Sequence, residues 1–124
     1  MDAKESLEDY LERIVMLHEK GEVVRAVDLA NSMGFSKPSI SIALKKMKEK
    51  GLVDVDEDTG NLILTKEGRN IGEATYKRHK VISKFLEHIG VDEERALEDA
   101  CKIEHDLSDE TFEKLEAYLN GIEK

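Results

Sequence analysis

Three residues near the C-terminal end of the chain could bind a metal together. Cys101, Glu104 and His105 stand at i, i+3 and i+4, a spacing that projects a thiol, a carboxylate and an imidazole over one sector of roughly 100° on an α-helix. Leu97 and Ala100 share that sector, and a carboxylate set in an apolar stripe is costly unless a cation pairs with it. Seen singly, Cys101 could be a small buried hydrophobe and His105 a partner for a helix C-terminal dipole. His79 falls in a second helical stripe with Thr75, Ile82 and Leu86, where a lone histidine reads as a hydrogen-bonded core residue. Asp9 and Glu12, one turn apart, lie opposite the apolar face of the first helix. Alone they form a solvated face, or Asp9 closes a capping box with Ser6. Met16, one turn beyond Glu12, is apolar, which implies that this side meets other protein.

A second chemistry lies between Phe35 and Gly51, where five lysines (Lys37, Lys45, Lys46, Lys48, Lys50) face one acid, Glu49. A local balance of +4 attracts phosphates. The net charge of -9 does not contradict this, because residues 1–84 hold 15 basic and 15 acidic residues, while residues 85–124 hold 4 and 13. The acidity belongs to the C-terminal part. In SKPSISIALKKMKEK, Ser39 and Ser41 can reach base edges or phosphates and Ile42 a thymine methyl. Lys37, Lys45, Lys46 and Lys48 can reach phosphates, with Pro38 beside them in the first turn. Arg25 and Asn61 are further backbone-contact candidates, and either could be an ordinary turn or hairpin residue. Any one lysine alone could be a solvated surface charge.

These groups need elements to position them. The 124 residues are 40% hydrophobic and 38% charged, with a single proline, as expected of one or two small folded units rich in helix. There is no run of roughly 18 apolar residues and no basic-then-apolar start, so neither a membrane span nor secretion is expected, and the cytoplasm is the expected compartment. One cysteine cannot form an internal disulfide. Ser6 can cap a first helix with Leu7, Tyr10, Leu11, Ile14 and Leu17 on its apolar face and Gly21 as its stop. A short helix follows over 26–33, Gly34 turns the chain, and Ser36 caps a third helix that buries Ile40, Leu44 and Met47 and ends at Gly51. Residues 52–55 and 61–64 read as a β-hairpin. This order is that of a winged helix-turn-helix, assigned to residues 1–64. Thr65 caps a long helix carrying Ile71, Thr75, Ile82, Leu86 and Ile89 to Gly90. Asp92 starts another that reaches about His105, and Ser108 caps a last one with Phe112, Leu115, Leu119 and Ile122. Residues 65–124 are therefore expected to be helical, with too few helices to enclose a core alone. A twofold mate would complete a four-helix-like interface, so a homodimer is expected.

The opening DYLERIVML, the helix-turn-helix, TKEGRNIG at the start of the long helix, YKRH at 76–79 and DACKIEHDLSD at 99–109 together resemble the diphtheria toxin repressor family of metal-dependent transcriptional repressors, including its manganese-sensing branch. The resemblance covers essentially the whole chain. It implies that Asp9 and Glu12 fall on ligands of the manganese branch, the iron branch having methionine at the former. It also implies that His79, Glu104 and His105 fall on ligands used across the family. Cys101 falls where the manganese branch has glutamate and the iron branch cysteine. A soft thiolate favours Fe(II), Co(II), Ni(II) or Zn(II), whereas Asp9, Glu12 and Glu104 suit Mn(II). Ser83 and Leu97 replace ligands of the iron branch's ancillary site, and at this length the SH3-like domain of larger members is not expected. Ile42 stands where a polar or charged residue is common. The implied function is a repressor activated by Mn(II) or Fe(II) to bind operator DNA as a dimer. Two other readings compete: a winged-helix regulator with an organic effector, and a small dimetal hydrolase, for which no additional nucleophile or oxyanion motif is present.

Overall fold

The structure, a computed structural model, describes residues 3–123, with side chains from Leu7 to Ile122. Its elements in chain order are α1 (Ala3–Lys20), α2 (Ala26–Met33), α3 (Lys37–Glu49), β1 (Val53–Val55), β2 (Leu62–Leu64), α4 (Lys66–His88), α5 (Glu93–Ile103) and α6 (Asp109–Glu123). This is the expected mostly α architecture, with a winged helix-turn-helix first and helices after it. The chain forms two compact units, Met1–Ala74 and Thr75–Lys124. The opening turns of α4 belong to the first unit and the remainder to the second.

In the first unit, local signals set the helix ends. α1 already includes Ser6, so that residue is not at the helix start. Its side chain, and with it the capping box with Asp9, lies outside the described residues. The backbone N–H of Arg25 donates to Asp28 Oδ2 at 2.9 Å as α2 begins, and Gly34, with φ of 70°, closes it. Ser36 Oγ accepts from Ser39 N at 3.3 Å, and Pro38 sits in the first turn of α3, where a missing N–H has no helical partner to lose. The two strands pair antiparallel, Val53 opposite Leu64 and Val55 opposite Leu62. Leu62 also donates its N–H to Val24 O at 2.7 Å, which seats the wing on the segment leading into α2. Leu11, Ile14, Leu29, Ile40, Met47 and Leu62 fill the core, each no more than 1% exposed. Deleting a side chain buried as fully as Met47 costs about 2–5 kcal/mol.

Two glycines let α4 sit against this unit. A Cβ on Gly68 would lie 2.0 Å from Leu52 O, and one on Gly72 would lie 2.8 Å from Leu11 O. Thr65 prepares the approach, its N–H donating to Leu52 O at 3.1 Å, its hydroxyl donating to Gly51 O at 2.7 Å and accepting from Gly68 N at 3.1 Å.

In the second unit, the buried residues are Thr75, His79, Ile82 and Ser83 of α4, Ala96 and Ala100 of α5, Glu104 after it, and Phe112 and Leu119 of α6. Three expected core positions differ. Ile89 is 60% exposed, because Gly90 ends the helix beside it. Leu97 is 44% exposed, because α5 buries the adjacent line of Ala96 and Ala100. Ile122, in the last turn of α6, is 39% exposed. Ser108 caps α6 as expected, accepting from Thr111 N at 3.1 Å, whereas the side chain of Asp92 makes no capping bond to α5. Among the described residues, no helix is long and apolar enough to cross a membrane.

Candidate metal centre and nucleic-acid interface

Within the second unit, α4 supplies His79, the last turn of α5 supplies Cys101, and the chain leaving α5 supplies Glu104 and His105. Glu104 is the C-cap of α5 and keeps helical φ and ψ of −55° and −27°, so the i, i+3 geometry survives past the last helical residue. Its carboxylate is buried, with a side-chain exposure of 0%. His79 Nδ1 lies 3.1 Å from Glu104 Oε2 and 3.7 Å from Cys101 Sγ. His105 Nε2 lies 3.5 Å from Glu104 Oε1. Cys101 is exposed, so it is not a small buried hydrophobe, and its sulfur is within reach of the His79 imidazole.

Electrostatics at this cluster favour positive charge. The Cys101 sulfur and then the Glu104 carboxylate, both within hydrogen-bonding reach of Nδ1, push the His79 pKa up to about 10 against the opposing effect of burial. The proton sits where the donors converge. A divalent ion competes for such a position by replacing that proton, and the N, O and S donor set suits a borderline transition metal.

Arg78 has a role here that the sequence reading missed. Its guanidinium donates to Glu104 O at 3.2 Å and to Leu107 O at 2.8 Å, pairs with the Asp109 carboxylate and lies 5.1 Å over the Phe112 ring. It thus fixes the turn that carries Glu104 and His105. The usable signal was a cation beside His79 in YKRH, together with the free carbonyls that every helix C-terminus presents.

Asp9 and Glu12 belong to α1 in the first unit. Asp9 is half-buried and Glu12 is only 6% exposed, so Glu12 is not on a solvated face, and Met16 is half-buried on the same side. Arg13 donates to Ser32 Oγ at 2.9 Å and ties α1 to α2.

On α3, Lys37, Pro38, Ser39, Ser41, Ile42, Lys45, Lys46 and Lys48 are all exposed, while Ile40, Ala43, Leu44 and Met47 face the core. Ile42 is 60% exposed. Arg25 and Asn61 do structural work: Arg25 Nε donates to Thr59 O at 2.8 Å, and Asn61 Oδ1 accepts from Val24 N at 2.8 Å. Both hold the wing to the segment before α2.

Residues 2–61 match the family described as iron dependent repressor, N-terminal DNA binding domain, and residues 65–124 match iron dependent repressor, metal binding and dimerisation domain. An uncharacterized HTH-type transcriptional regulator of Methanocaldococcus jannaschii is 35% identical over 117 residues, covering 93% of both chains. The HTH-type transcriptional regulator MntR of Bacillus subtilis is 34% identical over 110 residues, covering 89% of this chain and 77% of its own. Among solved structures, the manganese regulator SloR superposes with a TM-score of 0.80 at 34% identity, over 92% of this chain and 53% of its own. A manganese-dependent transcriptional repressor in complex with manganese gives 0.83 at 30% identity, over 92% and 52%. The chain spans about half the length of these two solved chains. With a DNA-binding winged helix in its first half and a metal-binding, dimerising domain in its second, the chain belongs to the iron-dependent repressor family, the diphtheria toxin repressor family of metal-dependent transcriptional repressors.

Proposed function

We propose that this protein is a cytoplasmic homodimer that binds operator DNA when Mn(II) or Fe(II) is bound by Asp9, Glu12, His79, Cys101, Glu104 and His105. The observation that carries the reading is the convergence on Glu104 of the two imidazoles, with the Cys101 sulfur at His79. A bound divalent ion supplies the positive charge that lets several deprotonated donors share one place. His79 would have to release its Nδ1 proton to serve as a ligand there, and Arg78 holds the Glu104 turn in position. Asp9 and Glu12 stand on α1, and His79, Cys101, Glu104 and His105 on α4, α5 and the turn after it, so a metal held by both groups would select the arrangement in which they serve one site. In that arrangement each α3 offers Ser39, Ser41 and Ile42 to a major groove and Lys37, Lys45, Lys46 and Lys48 to phosphates, and the twofold sets the half-site spacing.

Co(II), Ni(II) and Zn(II) are expected to substitute in vitro, because Cys101 adds a soft donor to a largely hard set. Fluorescence anisotropy with a duplex selected in vitro against the Mn(II)-loaded protein tests the reading. Tight binding with Mn(II) or Fe(II) under reducing conditions and weak binding in chelator support it; equal binding in both refutes it. A winged-helix regulator that answers only to an organic effector would give that second result.

A further inference from the structure

The first unit contains a cleft of about 870 Å³ that the metal reading does not use. Its walls come from α1 (Leu7, Tyr10, Leu11) and the back of α3 (Ala43), closed by Leu52 and Ile71, and are overwhelmingly apolar. Its volume lies in the range of small-molecule sites, which are mostly apolar with a few placed polar groups. The polar groups here are Lys46 and Lys50 of α3, with Ser39 and Glu8. Neither lysine takes part in an ion pair among the described residues, and both line the cleft beside its apolar residues. Ser39, Ile42 and Lys46 line the same cleft and belong to the face of α3 assigned above to DNA.

We infer that this cleft binds an amphipathic organic carboxylate, its apolar body against Leu7, Tyr10, Leu11, Leu52 and Ile71 and its carboxylate at Lys46 and Lys50, and that the occupied cleft opposes DNA binding. Charge complementarity favours the anion: two lysines against one acid, Glu8, line the cleft, so a neutral molecule of the same shape forgoes the ion pairs with Lys46 and Lys50 that a carboxylate gains. The opposition follows from shared residues, because a bound carboxylate neutralises Lys46 and covers Ile42. The binding half of this inference stands without the metal reading; the opposition rests on α3 being the DNA-contacting helix.

The test uses the full chain and two probes, decanoate and decanol. In metal-free NMR titrations, decanoate is expected to give saturable shifts at Tyr10, Ala43, Lys46, Leu52 and Ile71, and to bind about tenfold more tightly than decanol, equivalent to about 1.4 kcal/mol. Lys50→Gln should remove most of that preference while leaving decanol binding and the folded spectrum unchanged. In the Mn(II)-loaded protein, decanoate should lower affinity for the selected duplex, and should do so at lower concentration than decanol. Absence of saturable binding, shifts spread equally over residues 75–124, or equal binding of the two probes overturns the site. Saturable cleft binding with undiminished duplex affinity overturns the opposition. Should the Mn(II)-loaded protein fail to bind DNA at all, the metal reading falls, and the NMR titrations still decide the site.

Discussion

Gly68→Ala places one methyl group where α4 meets the winged helix. A Cβ there lies 2.0 Å from Leu52 O and 2.9 Å from Leu52 C, against the 3.4 Å at which ordinary contact begins. Relief requires α4 to withdraw by more than an ångström, and the obstacle is backbone, not a side chain that swings aside. The same carbonyl accepts the Thr65 N–H, so withdrawal also strains the cap of α4. Alanine in a helix gains at most about 1 kcal/mol over glycine, an upper bound for Gly68 in the first turn of α4, while forced backbone shifts from overpacking cost about 1–3 kcal/mol. The obstacle puts this case at the upper end, for a net loss of about 2 kcal/mol, or roughly 5–10 °C in Tm for a chain of this size. Gly121, in α6, provides the control: nothing lies within 4 Å of the place its added methyl group would take, so Gly121→Ala should be neutral or stabilising by up to about 1 kcal/mol. Urea and thermal unfolding of the pair measure the difference. Equal stability of Gly68→Ala and wild type would refute the close approach of α4 to Leu52.

Three further outcomes are expected. His79 is charged at neutral pH, its pKa raised to about 10 by Cys101 and Glu104, so metal uptake displaces a proton. The logarithm of metal affinity should therefore rise with pH by about one per unit for that proton, and pH-independent affinity would contradict it. In the metal-free protein the stabilisation from charged His79 should be complete below its ordinary pKa of 6.5 and lost as pH rises through about 10, which unfolding at graded pH would show. Cys101→Ala should abolish a sulfur-to-metal charge-transfer band in the Co(II) complex while keeping the fold; an unchanged spectrum means that the sulfur is not a ligand. Asn61→Ala leaves the Val24 N–H without the acceptor it has at 2.8 Å and should destabilise the protein by about 1–3 kcal/mol, an outcome that unaltered urea unfolding would exclude.

The parts of the fold legible in the sequence were those with strong local signals. Ser36 before Pro38, Gly34 after Met33, and Thr65 before Gly68 each act through one or two hydrogen bonds or one φ value, so α2, α3 and the start of α4 follow from neighbouring residues alone. Features set by packing were not legible in that way. Hydrophobic periodicity put Glu12 opposite the core, yet it is buried, because a carboxylate adds nothing to an apolar pattern. On α5 the small Ala96 and Ala100 are buried and the larger Leu97 is exposed, an inversion that size-weighted hydrophobicity cannot foresee. The need for glycine at 68 and 72 comes from the backbone carbonyls of Leu52 and Leu11, which the sequence does not place beside them. The histidine, cysteine and glutamate of the second unit were legible as a set because their spacing was helical. Arg78 was not, since its partners are backbone carbonyls that carry no residue identity.

The central claim is that α1 carries the metal signal to the DNA-binding unit, and Asp9→Asn tests it most directly. The quantity to measure is the ratio of duplex affinity with saturating Mn(II) to that in chelator, for wild type and variant, with the dimer confirmed by sedimentation. For wild type the expected ratio is on the order of 100, or roughly 2.7 kcal/mol of coupling. In Asp9→Asn that ratio should fall toward one while the dimer stays folded. Full wild-type ratios in both Asp9→Asn and Glu12→Gln would contradict the claim, because metal would then be activating DNA binding without a ligand on helix α1.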